Sequence, residues 1–133
     1  MSNIDVVRSA YEAFKRGDIP AILDLLAEDV EWQYGVISTD VPWLQHHRGR
    51  DEVRRFFDAL TGLEFHQLDT KTFLESGDIV VALLDVRATV KATGREFIEQ
   101  DLPHIFHFRD GKVVRYRQGA DTHQQLQAQG GTA

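Results

Sequence analysis

The side chains best equipped for chemistry gather in residues 100–121, QDLPHIFHFRDGKVVRYRQGAD. An unperturbed imidazole titrates near ~6.5 and can take or give a proton at neutral pH, which makes His104 the first candidate for acid/base work. Asp110-Gly111 between β-type runs predicts a hairpin, and side chains alternate faces along each strand. Gln100, Leu102, His104, Phe106 and Phe108 then share one face, beside Val114, Tyr116, Gln118 and Ala120. Asp101, Ile105, His107 and Arg109 share the other, beside Val113, Arg115, Arg117 and Gly119. An apolar face with isolated polar tips is either a core or the floor of a ligand pocket. In a pocket, His104 moves a proton and Gln118 orients a carbonyl. In a core, His104 is a hydrogen-bonded strand histidine and Gln118 satisfies Tyr116 or Gln100.

Other chemistry finds little support. His104 and His107 are three apart on a strand, point to opposite faces and cannot share an ion, and the adjacent His46 and His47 are an equally poor chelating pair. No Asp/Glu/His cluster has ligand spacing, so no metal is expected. No serine sits in a nucleophile elbow and no glycine-rich phosphate loop occurs, so no cofactor is expected. Trp32 and Tyr34 share a face of the first strand as pocket or core aromatics, with Tyr34 a candidate hydroxyl donor. Trp43, His46 and His47 suit either a lid over an apolar ligand or a surface loop around a half-buried tryptophan. Asp121 reads as a helix N-cap. Asp85, Arg87, Glu99 and Asp101 fall on the outer parity, as an ion network.

The elements that must position these residues follow from periodicity. Ser2 or Asn3 caps a helix whose Ile4, Val7, Ala10, Tyr11 and Phe14 form one buried face, and Gly17 ends it. Asp18 caps a short helix with Pro20 in its first turn and Ile19, Ile22, Leu23 and Leu26 inward. Residues 30–34 read as a strand and 35–48 as an ordered loop. Asp51 opens a third helix with Val53, Phe56, Phe57 and Leu60 inward. The period then changes to two, predicting strands over 63–74, 79–91, 95–108 and 113–120. On the second of these Ala82, Leu84, Val86, Ala88 and Val90 share the inner face. Residues 124–133 are expected to fray. Helices on one face of an antiparallel sheet make an α+β fold. Val81, Leu83, Phe97 and Ile105 on the outer face suggest a homodimer through it.

At 133 residues the chain suits one domain. Its net charge of −6 supplies no basic footprint for nucleic acid or anionic membrane. It contains no cysteine, which removes disulfides and thiolate chemistry. No apolar run reaches the roughly 20 residues of a membrane span, and the N-terminal stretch lacks a signal-peptide h-region, so a cytoplasmic location is expected.

In order, AYEAFKRGDIPAILDLLAEDVEW, HRGRDEVRRFF and HIFHFRDGKVVRYRQGAD resemble the nuclear transport factor 2-like superfamily. Within it the chain is similar to the SnoaL-like polyketide cyclases and ketosteroid isomerases, over residues 1–125, with 126–133 a flexible tail. The resemblance implies a cone-shaped, curved antiparallel sheet wrapped around three N-terminal helices. It implies an apolar cavity lined by Phe14, Trp32, Tyr34, Phe56, Val86, His104, Phe106, Tyr116 and Gln118, with Trp43 and His47 at its mouth. The cyclases' catalytic histidine falls on His104. Their partner carboxylate falls on Gln118, which takes no proton. The isomerases' base falls on Tyr34, or on Gln33 one register away; their protonated aspartate falls near His104, and their tyrosine at Ala10, next to Tyr11. Only the histidine is carried over, leaving His46 or His47 as replacement bases. Three expectations follow: a cofactor-independent isomerase, cyclase or dehydratase acting on an apolar cyclic or carbonyl-bearing ligand through His104, Tyr34 and Gln118; a carrier that has lost the base; or a dimerisation domain with a filled core.

Overall fold

The computed structural model describes residues 1–32 and 40–130. Helix α1 (Asn3–Arg16) starts in a reciprocal capping box, Ser2 Oγ accepting from Asp5 N and Ser2 N donating to the Asp5 carboxylate. It stops at Gly17, whose φ of 74° is left-handed. Asp18 caps α2 (Ile19–Leu23) through Ala21 N, with Pro20 in the first turn. Leu26, expected on that helix, instead opens β1 (Leu26–Trp32), so the first strand starts four residues earlier than its apolar run suggests. β2 (His47–Arg48) lies antiparallel to β1, and α3 (Arg50–Leu60) follows Gly49. β3 (Leu63–Ser76), β4 (Ile79–Val90), β5 (Glu96–Arg109) and β6 (Lys112–Gln118) form the meander. Asp110 (φ 53°) and Gly111 (φ 77°) turn β5 into β6, the two positive φ values an Asp-Gly hairpin turn requires. α4 (Thr122–Gln129) closes the described chain.

The six strands form one curved, unclosed sheet in the order β2-β1-β6-β5-β4-β3, antiparallel except where β1 runs parallel to β6. Its inner face packs on α1, α2 and α3 around a core that includes Val7, Val30, Val53, Val80 and Leu84. The even positions of β4, from Val80 to Val90, all point inward as their alternation demands. No helix among the described residues is long and apolar enough to cross a membrane.

Strict alternation fails at several places in the sheet, and two of them lie on the strands that carry the candidate site. Between the pairs Val86↔Glu99 and Leu84↔Leu102, β5 carries one residue more than β4. Asp101 takes φ 52° there and its N–H is tied to Asp85 Oδ1. This bulge flips the parity of everything before it. Phe97 and Glu99, expected outside, are 3% and 7% exposed, whereas Gln100 faces water and Ile98 is 51% exposed. A second irregularity, between the pairs Phe108↔Val113 and His107↔Arg115, buries Val113 on the inner face with Tyr116. Asp85 and Asp101 pair with Lys71, and Arg87 with Glu96, so the outer ion network exists without Glu99.

The fraying expected after residue 124 gives way to helix through Gln129. Asp121 caps α4 by accepting from Gln124 N, and Gln125 and Ala128 are buried. Gln124 pairs with both backbone groups of Ile98, Arg95 donates to Gln127 O, and Thr93 donates to Ala128 O.

Candidate functional site

A cavity of about 110 Å³ lies between the concave sheet and the helices. Phe14, Trp32, Trp43, Phe56, Val86, Phe106 and Tyr116 line it together with His104 and Gln118. His47 does not. On β2, paired with Trp32, it is 9% exposed, and its Nε2 is buried without a hydrogen-bond partner among the described residues. Burial, only partly offset by Glu52, lowers its pKa. His46 is exposed. Tyr34 and Gln33 lie outside the described residues.

β5 and β6 set His104 directly across from Gln118, and Phe106 across from Tyr116. From the opposite wall α1 delivers Tyr11, whose hydroxyl lies 2.6 Å from His104 Nδ1. The two rings stack at 5.9 Å, and Tyr116 meets the imidazole edge-on at 5.4 Å. Gln118 Nε2 donates to Tyr116 Oη at 3.3 Å. Burial alone pushes the His104 pKa down to about 3; burial, with a smaller contribution from Tyr116, raises that of Tyr11, and burial raises that of Tyr116 against the lowering effect of Gln118, so all three are neutral at physiological pH. A phenol is the better donor and an imidazole nitrogen the better acceptor. Tyr11 therefore donates to Nδ1, leaving the proton of His104 on Nε2, which has no protein partner among the described residues. Two donors, His104 Nε2–H and Tyr116 O–H, and the acceptor Gln118 Oε1 remain for a ligand. They can polarise a carbonyl. They supply no charged acid and no carboxylate base.

A second polar group stands about 15 Å back along β5. The Glu99 carboxylate accepts from Asp121 N at 2.7 Å and from Gln125 Nε2 at 2.8 Å, and Gln125 Oε1 accepts from Trp43 Nε1 at 2.7 Å. Trp43 stacks on Phe97 at 6.3 Å. Burial raises the Glu99 pKa against the lowering effect of its two donors. Gln125, Trp43 and Phe97 all face the cavity. Among the described residues no group of three or more His, Cys, Asp or Glu could hold a metal ion.

Sequence reasoning missed three of these residues as functional. Tyr11 was visible on the inward helical face, one position from the expected tyrosine. Glu99 was hidden by the bulge, although apolar Phe97 and Leu102, five apart, cannot share a face without one. Gln125 was assigned to the tail.

A family profile described as the SnoaL-like domain matches residues 7–116. The chain belongs to this family. Comparison with the curated proteins gives no match. Among solved structures, the domain is similar to a nuclear transport factor 2-like protein of unknown function from Burkholderia pseudomallei, with 31% identity, a TM-score of 0.83 and coverage of 98% of this chain and 99% of that one. A nuclear transport factor 2-like protein from Burkholderia xenovorans is 27% identical, with a TM-score of 0.83 and coverage of 96% and 95%. A protein from Pseudomonas putida named as a candidate polyketide cyclase shares the fold at 20% identity, with a TM-score of 0.78 and coverage of 96% and 98%.

Proposed function

We propose that the cavity binds a small, largely apolar ring compound by one carbonyl or hydroxyl oxygen, without a cofactor. The observation that carries this reading is the Tyr11–His104 hydrogen bond of 2.6 Å, which leaves one imidazole N–H unspent in an otherwise apolar enclosure. Ligand oxygen accepts from His104 Nε2–H and Tyr116 O–H while the aromatic lining excludes water and strengthens both bonds. The volume suits one ring; a cavity of about 150 Å³ holds benzene. A groove bordered by Lys15, His66, Asp69 and Arg87 shares Phe14, Phe65 and Leu68 with the cavity and offers a way in. Neutral His104 and the amide at Gln118 favour a binding or carrier role.

The catalytic reading, an isomerase, cyclase or dehydratase, is favoured by two potential donors, His104 and Tyr116, lining the same cavity with their rings 5.4 Å apart, since carbonyl polarisation needs such donors. Incubation with 2-cyclohexenone in D₂O separates the two. Histidine and tyrosine NMR shifts report binding, and α-deuterium incorporation above the protein-free rate reports catalysis. Shifts without exchange leave a carrier. An unchanged His104 resonance across ring ketones and phenols defeats both.

The same reading includes a homodimer through the outer sheet face, where Val81, Leu83 and Ile105 are part-exposed and Ile98 is exposed. Light scattering of wild type and Leu83→Lys tests it; a wild-type monomer overturns it.

A further inference from the structure

We propose that Gln125 sets the size limit of the cavity and that Glu99 is its positioning residue, so that one ring is admitted and a fused pair of rings is excluded. This rests on the reading of the cavity as a ligand site. Gln125 is 3% exposed and is the cavity-lining residue contributed by α4. Its amide is held in one orientation. Reversal would set Nε2–H against the indole N–H of Trp43 and Oε1 against the Glu99 carboxylate, two repulsive contacts in place of two hydrogen bonds. The same Glu99 oxygen anchors Asp121 N at the start of α4, so one buried carboxylate fixes both the helix and the side chain it presents. Through Gln125 it also fixes Trp43, which stacks on Phe97 to complete that wall. The bonds that carry α4 elsewhere, from Arg95, Thr93 and Gln124, reach only its backbone or the exposed Ile98 edge. They leave the position of Gln125 to Glu99.

The test compares phenol with 2-naphthol as probes of the full-length protein, followed through the indole N–H resonances of its two tryptophans. Wild type is expected to prefer phenol by about tenfold or more, the discrimination a closed apolar pocket achieves. Gln125→Ala is expected to reverse that preference, with the Trp43 indole N–H moving upfield as its acceptor is lost. Glu99→Gln keeps the side-chain size and is expected to shift the ratio in the same direction by a smaller factor; it carries the test if the alanine variant does not fold. Equal wild-type affinity for the two probes overturns the proposal. So does a phenol-to-naphthol ratio unchanged in the variants while the Trp43 resonance has moved. Wild type binding neither probe overturns the ligand-site reading itself, and the size limit with it.

Discussion

The two polar ends of the cavity hang from one strand and answer burial in opposite ways. At one end β5 turns His104 inward, at the other Glu99, and desolvation moves each toward its neutral form, the imidazole downward and the carboxyl upward. Their partners differ. His104 is bonded on one nitrogen by Tyr11, and its other nitrogen has no protein partner among the described residues. Glu99 accepts from a backbone N–H and from Gln125, and the far side of Gln125 is taken by Trp43. On the function proposed above, one end recognises and the other holds shape. Exposure alone would not separate them; the tally of spent and unspent hydrogen bonds does.

The largest expected effect is on acid stability. His104 titrates near 6.5 in the unfolded chain and near 3 in the fold, so below pH 6.5 the unfolded state binds the proton first. The stability contributed by neutral His104 is complete above about 6.5 and is lost as pH falls toward 3. At about 1.4 kcal/mol per unit this is on the order of 5 kcal/mol. Glu99 acts with the other sign, because its raised pKa makes stability fall as pH rises from 4.5 through the folded value. Urea unfolding between pH 7 and 3 should show a steep acid limb in wild type and a flatter one in His104→Leu. Parallel limbs would remove the contrast between the two ends.

Gln125→Leu strips the Trp43 indole and the buried Glu99 carboxylate of a partner each, and should cost about 2–3 kcal/mol by urea unfolding at pH 7. A loss below about 0.5 kcal/mol would mean that water replaces the amide and that this end is not closed. Tyr11→Phe should cost less, about 1.5 kcal/mol, and should release the tautomer. The ¹⁵N shifts of His104 are expected to report a single Nε2–H form in wild type and a mixture in the variant. Asp121→Ala removes only the cap of α4 and should cost about 1 kcal/mol. Amide exchange is then expected to rise over 122–129 and stay unchanged at Tyr11 and His104; spread to both ends would show that they are coupled rather than separate.

Most of the architecture was legible because local rules and global packing agree. The capping box at Ser2, the stop at Gly17, the inner face of β4 and the Asp110-Gly111 turn each follow from a few adjacent residues. Alternation put His104, Phe106, Tyr116 and Gln118 on one face. It holds on β5 from the turn back to His104, and the extra residue at Val114 on β6 sets Tyr116 and Gln118 opposite them. It fails beyond Leu102. An inserted residue costs little locally, leaves no compositional mark as plain as a glycine, and reverses every assignment upstream. Glu99 was therefore read as a surface charge when it is the anchor of the C-terminal helix. Gln125 was illegible for another reason: α4 has little apolar periodicity and is held by backbone carbonyls and amide side chains that no sequence pattern advertises.

The sequence by itself determined the three N-terminal helices and the four-strand meander, the hairpin within it, and a histidine facing the enclosed side, because these depend on backbone conformation and side-chain alternation over short spans. Only the tertiary structure decided the chemical state of that histidine and what opposes it. A pKa near 3 arises from atoms of α1, β5 and β6 closing around one ring, and the Glu99–Gln125–Trp43 chain joins residues as far as 82 apart. Desolvation and long-range hydrogen bonding are properties of the assembled enclosure, and no segment carries them before it is built.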